Sequence, residues 1–212
     1  MGIPVLILGE SGSGKSASLR NFEPAEVSIF NVASKPLPFR KRLPVQNMAS
    51  YQSIAGVLSH PNKKAYVIDD AQYLMCFDLF SRTKEKGYDK FTEMALSFYG
   101  LVQMVIQQTP PDCIVYFMMH TDTDGTGKVK AKTVGKMLDE KLTLEGLFSI
   151  VLITEVTKEG YFFVTQSDGF TTCKSPMELF PYRIDNDLKF VDTAIRSYWD
   201  LNPVQGGEAQ HD

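Results

Sequence analysis

The chain has 212 residues, of which 43% are hydrophobic and 22% charged, with 15 glycines, 11 prolines and a formal net charge of -3. This is the composition of one globular domain, and it excludes a disordered polymer or a repeat array. A mildly acidic average also excludes a generally basic nucleic-acid binder, so any grip on phosphates must come from a local cluster. Three scattered cysteines, Cys76, Cys113 and Cys173, form neither a disulfide framework nor a zinc site and fit a reducing compartment.

The apolar run at 3–8 ends in a glycine-rich turn and reads as a strand buried on both faces. It is too short for a signal peptide, and no stretch approaches the ~18 to 20 apolar residues of a membrane span, so a soluble, cytoplasmic protein is expected. Residues 17–20 continue a helix out of the turn, and 27–32 read as a second buried strand. Ser34-Lys-Pro-Leu-Pro-Phe-Arg-Lys-Arg42 follows, where two prolines forbid helix and sheet interior and leave a loop with four positive charges.

Residues 51–60 fit a short helix, and 65–68 a short strand that ends on Asp69 and Asp70. Apolar residues from Phe91 to Ile106 recur at steps of three and four, which predicts a long helix stopped by Thr109-Pro-Pro111. Residues 113–119 read as the next buried strand, leading through His120 into a polar loop at 121–133. A helix is expected over 133–148, then a strand over 149–154 paired through a turn at 158–160 with another over 161–166. Residues 191–201 look like a closing helix and 202–212 like a flexible tail. Strands separated by helices predict an α/β fold, a mostly parallel sheet flanked by helices, with a C-terminal antiparallel hairpin.

Gly9-Glu-Ser-Gly-Ser-Gly-Lys-Ser16 has the spacing Gly, four residues, Gly-Lys-Ser, set between a buried strand and a helix. Glycines let the backbone wrap closely around a phosphate, so that N–H groups from Gly9, Glu10, Ser11, Gly12, Ser13, Gly14, Lys15, Ser16 and Ala17 can face its charge. Lys15 is placed to reach the β and γ phosphates, and the Ser16 hydroxyl to meet Mg²⁺. Such a loop needs a carboxylate across the sheet to hold the hydrated metal, and the strand ending at Asp69 supplies it. Asp70 has two readings: it orients or deprotonates the attacking water, or it caps the helix that begins at Ala71. ATP and Mg²⁺ are the implied ligands.

With these motifs in place, the order of elements resembles the RecA-type core of P-loop NTPases. More closely it resembles the phage-encoded AAA-domain ATPases grouped with RecA-like single-strand annealing recombinases. Beyond the two nucleotide motifs, the resemblance rests on Val115-Tyr-Phe-Met-Met-His120, on Phe163-Val-Thr-Gln-Ser-Asp-Gly-Phe170 and on Thr172-Cys-Lys-Ser-Pro176. It implies one P-loop ATPase domain over 1–201, His120 as a sensor of the γ phosphate, and a DNA-contacting loop at 121–135 served by Lys128, Lys130, Lys132 and Lys136. The same lysines also read as a solvated loop balancing Asp122, Asp124 and Asp139.

The resemblance further implies that Lys174 reaches the nucleotide of a neighbouring subunit, which would make a homo-oligomer the hydrolysing form; an exposed turn lysine is the plain alternative. RecA proteins carry a catalytic Glu after the second strand, and residues 31–35 here hold no acid. The activity implied is Mg²⁺-dependent ATP hydrolysis on single-stranded DNA in phage recombination or replication, inside a bacterial host. A single-strand-binding protein and a helicase are candidate partners. Two alternatives stand beside it. One is a nucleotide-gated adaptor, such as a helicase loader or assembly factor, with little turnover. The other is a small-molecule or nucleotide kinase, for which the six arginines form no evident lid cluster.

Overall fold

Along the first strand, Val5 and Ile7 pack into one apolar cluster and Leu6 and Leu8 into another, and all four are fully buried. Successive side chains of a strand point to opposite faces, so this alternation means that both faces of the sheet are covered. A computed structural model of the chain describes residues 1–135, 138 and 142–201. Eight strands form one sheet: β1 (Ile3–Leu8), β2 (Val27–Asn31), β3 (Val45–Asn47), β4 (Ala65–Asp69), β5 (Ile114–Met119), β8 (Ile150–Thr157), β9 (Gly160–Val164) and β10 (Arg183–Asp185). Their order across the sheet is β10-β9-β8-β1-β5-β4-β2-β3. The six from β8 to β3 are parallel, and β9 and β10 add antiparallel to the β8 edge. Two further strands, β6 (Thr121–Thr123) and β7 (Val129–Ala131), pair with each other as a separate hairpin.

Helices α1 (Tyr51–Leu58), α2 (Gln72–Ser81) and α3 (Asp89–Gln108) pack on the face of Leu6, Leu8 and Phe117. Helix α4 (Leu188–Tyr198) and a 3-10 turn at Ser16–Asn21 cover the face of Val5, Ile7 and Met118. A buried network fastens α4: the Tyr116 hydroxyl donates to Asp192 at 2.9 Å, and Arg196 binds Asp192 at 2.7 Å and the Asp112 carbonyl at 2.7 Å. Among the described residues no helix is long and apolar enough to cross a membrane. The architecture is therefore α/β, a mostly parallel sheet flanked by helices with a C-terminal antiparallel hairpin.

Several elements differ from the sequence expectation. The helix expected over 17–20 is present, as a six-residue 3-10 helix over Ser16–Asn21 and not as an α-helix. The stretch 121–133 is not a plain loop, because it contains the β6–β7 hairpin. A single helix over 133–148 is not formed: Thr133 and Gly135 are non-helical, Gly135 and Thr143 have φ of +81° and +56°, and among the described residues Leu138 and Leu142 are π-helical while Leu144–Leu147 form a 3-10 turn. The expected tail at 202–212 lies outside the described residues.

Because β1, β5, β4 and β2 run parallel, their carboxyl ends share one edge of the sheet. The segments leaving them carry the glycine loop, His120, the Asp69–Asp70 pair and Lys35 respectively. Ligands of open parallel sheets bind at this edge, in the crevice outside the strand ends.

Candidate functional site

The glycine loop is seated on β8. The Thr154 hydroxyl donates to Ser13 Oγ at 2.6 Å, and Ser13 Oγ lies 2.6 Å from the Glu10 carbonyl. A Cβ on Gly9 would stand 1.8 Å from Thr154 Oγ1, so this glycine is required by packing beneath the loop. Gly14 is required differently, since its φ is +96° and a Cβ would stand 2.9 Å from the Tyr161 ring. Ser11, Gly12, Gly14, Lys15, Ser16 and Ala17 line a cavity of about 470 Å³ together with Lys35, Pro36, Pro38, Asp69, Asp70, His120 and Tyr161. Gly9, Glu10 and Ser13 do not line this cavity.

Lys15 is almost fully buried, and its ammonium donates to the carbonyls of Gly9 at 2.7 Å and Glu10 at 2.9 Å. Burial pulls its pKa below the ordinary lysine value, against the charges of Asp70, Asp69 and Glu10. The Ser16 hydroxyl donates to both Asp69 oxygens, at 2.9 and 3.0 Å. Burial, with the Asp70 charge behind it, pushes the Asp69 carboxyl up to about 6.

Consecutive residues of a strand point to opposite faces, yet Asp69 and Asp70 line the same cavity. The backbone explains this, because Asp70 has φ +59°, a left-handed conformation that Asp tolerates better than most residues. The Asp70 side chain does not cap α2; its partners are the Lys35 ammonium at 2.7 Å and His120 Nε2 at 3.3 Å. The hydrogen bond that Lys35 donates to Asp70 raises the Lys35 pKa, while burial and the nearby Lys15 charge lower that of His120.

Compared by sequence with known proteins, the chain matches no family model and no curated protein.

His120 follows β5 directly and opens the β6–β7 hairpin, and its carbonyl accepts from the Lys132 N–H at 2.8 Å. At the base of that hairpin the Thr121 hydroxyl donates to the carboxylate of Glu10, inside the glycine loop. Lys128, Lys130 and Lys132 occupy alternate positions along and beside β7, with Lys130 opposite Asp122 in the ladder. The Asp124 carboxylate accepts from the backbone N–H groups of Thr126 and Lys128 and so shapes the turn. Lys136 lies outside the described residues, as does Asp139.

Lys174 is half-buried beside β8, where its backbone exchanges two hydrogen bonds with Val151, and it does not line the cavity of its own chain. Burial lowers its pKa against the Glu145 charge. None of the six arginines lines the cavity. Arg20, Arg82, Arg183 and Arg196 hold structural partners elsewhere. Phe39, the one aromatic of the proline loop, is partly buried against the core.

Sequence reasoning missed Lys35, Thr154 and Tyr161. The first belonged to a stretch marked only by its charge and prolines. The other two sit on strands recognisable by apolar pattern alone, with nothing to show that they abut the loop.

Proposed function

We propose that the chain binds a nucleoside triphosphate with Mg²⁺ at the glycine-loop cavity and hydrolyses it, as a RecA-like P-loop ATPase. The observation that carries this reading is the meeting of Lys15, Ser16, Asp69, Asp70 and His120, from three strand ends, in one cavity of triphosphate size. The residues fit the absent groups. The donor set facing the metal position, a serine hydroxyl and a carboxylate, is the hard-oxygen set that Mg²⁺ takes. Next to Gly14, Asn186 Nδ2 is buried without a hydrogen-bond partner.

In this reading Ser16 and Asp69 hold the ion, which when bound neutralises charge on the phosphate oxygens. Lys15 leaves the Gly9 and Glu10 carbonyls for the phosphates. Asp70 orients the attacking water, and His120 meets the γ phosphate at the root of the hairpin. The lysines beside β7, on one side of an extended strand, are the surface proposed for single-stranded DNA, and Lys174 is proposed to act toward a neighbouring subunit. The recombination or replication role and the phage kinship belong to the same proposal.

Calorimetry with Mg–ATP tests the site: binding is expected in the parent chain and is lost in Lys15→Ala. Phosphate release measured with and without single-stranded DNA tests the activity, and release that DNA leaves unchanged removes the hairpin from the reading. A nucleotide-gated adaptor is favoured by one observation, that Asp70 is held by Lys35 and is not free to act as a base. Under that reading binding occurs with negligible turnover. The kinase reading loses support because no arginine reaches the cavity to hold a second phosphorylated substrate.

A further inference from the structure

Lys35 follows β2 by four residues, in the stretch where the resembling proteins carry an acid, and its ammonium lies at the cavity wall. Its backbone is fixed on both sides. The Asn31 side-chain amide donates to the Lys35 carbonyl at 2.7 Å, and Pro36 restricts the residue before it to extended backbone. Ser34 adopts φ +56°, and its hydroxyl accepts from the Met48 N–H at 2.8 Å. The side chain, by contrast, is 58% exposed, and among the described residues its hydrogen bond is to Asp70 at 2.7 Å, with the Tyr73 ring 5.3 Å from the ammonium. A fixed root with a mobile four-carbon arm is the arrangement of a cation that can change partners.

We infer that Lys35 is a γ-phosphate-reading cation of this same site, latched on Asp70 when no nucleotide is present and transferred to the terminal phosphate of a bound triphosphate. The inference rests on the triphosphate reading of the cavity. Two carboxylates side by side need a cation between empty and loaded states, and Lys35 supplies it from within the chain. A phosphate dianion is the stronger electrostatic partner for an ammonium than one carboxylate, and a diphosphate has no phosphate at the γ position to offer it. The exchange also uncovers Asp70, so the group proposed to orient water is released only when the γ phosphate is in place. This makes the position a discriminator between tri- and diphosphate that needs no residue from a second subunit.

The test is calorimetry of the full chain with Mg–ADP and with a non-hydrolysable Mg–ATP analogue, for the parent, Lys35→Ala, Lys35→Arg and Asp70→Asn. The parent is expected to prefer the triphosphate. Lys35→Ala loses at least tenfold in triphosphate affinity while diphosphate affinity stays within about twofold, and Lys35→Arg recovers most of the loss, as expected of a charge-assisted contact. Asp70→Asn removes the latch and raises triphosphate affinity relative to diphosphate, because the competent state no longer has to break an ion pair. An unchanged affinity ratio in Lys35→Ala, with the parent binding both nucleotides, overturns the inference alone. A parent that binds neither nucleotide overturns the reading of the cavity and this inference with it.

Discussion

Replacing Asp69 with Asn is expected to make the ligand-free chain more stable while disabling the site. The carboxyl is buried beside Asp70, and its pKa stands at about 6, against an ordinary 3.8. Between those two values the folded chain holds the Asp69 proton more tightly than the unfolded chain, so stability falls as pH rises through that window and is level above it. A difference of about two units at 1.36 kcal/mol each means that ionised Asp69 costs about 3 kcal/mol at neutral pH. Asn keeps one oxygen to accept the Ser16 hydroxyl but loses the second contact and brings an amide that needs a partner, a cost of about 1 kcal/mol.

The net gain is therefore about 2 kcal/mol at about pH 7.5, or a rise in Tm of about 4–8 °C for a chain of this size. At about pH 4.5, where the folded parent has already taken up the proton, the gain falls to about 1 kcal/mol and the lost contact offsets it. Urea unfolding of the parent and Asp69→Asn, without Mg²⁺ or nucleotide, at the two pH values reads both effects. Adding Mg–ATP is expected to reverse the order, because only the parent gains binding energy. An Asn variant less stable than the parent at both pH values by the same amount would refute the reasoning, since it would mean that the carboxylate is held favourably in the empty site.

Gly9→Ala is expected to lose nucleotide binding and several kcal/mol of stability, because its methyl group meets Thr154 Oγ1 at 1.8 Å, and Thr154→Ala should restore part of both. A double-mutant cycle by urea unfolding checks this, and strict additivity would count against the clash. Tyr116→Phe should cost about 1–3 kcal/mol in the same assay, since it deprives the buried Asp192 carboxylate of a donor. Replacing Lys128, Lys130 and Lys132 together with Ala should flatten the log–log salt dependence of single-strand affinity by about 2, from about 0.7 per lysine, as read by fluorescence anisotropy across a salt series.

What could be read from the sequence was what lies contiguous in it. The glycine loop, the strand before it and Asp69 at a strand end are adjacent residues whose types and order already carry their geometry, and the long α3 announced itself by period. The edge strands β3 and β10 are three residues each and have no apolar run to give them away. The helix expected over 133–148 is not continuous over those bounds, because Gly135 and Thr143 take positive φ, a backbone choice that apolar spacing does not register. The Lys35–Asp70 pair spans 35 positions and the Thr121–Glu10 contact 111, so each exists only because parallel strands bring distant chain ends to one edge.

The shortness of the turn after the glycine loop bears on how the site must hold an anion. A long α-helix would aim aligned peptide dipoles at the phosphates, but Ser16–Asn21 is a six-residue 3-10 turn that offers few of them. In the proposed function the countercharge would come from side chains, and the cavity holds two lysines: Lys15, whose ammonium would leave the Gly9 and Glu10 carbonyls for phosphate, and Lys35, whose ammonium would leave the Asp70 carboxylate. Burial already lowers the pKa of Lys15, so its ammonium gains most when a phosphate replaces backbone carbonyls as its partner. In the proposed function such a site would draw its affinity from charge exchange more than from a preformed dipole. On that proposal the Asp69–Asp70 pair would be unfavourable in the empty chain and still serve the loaded one.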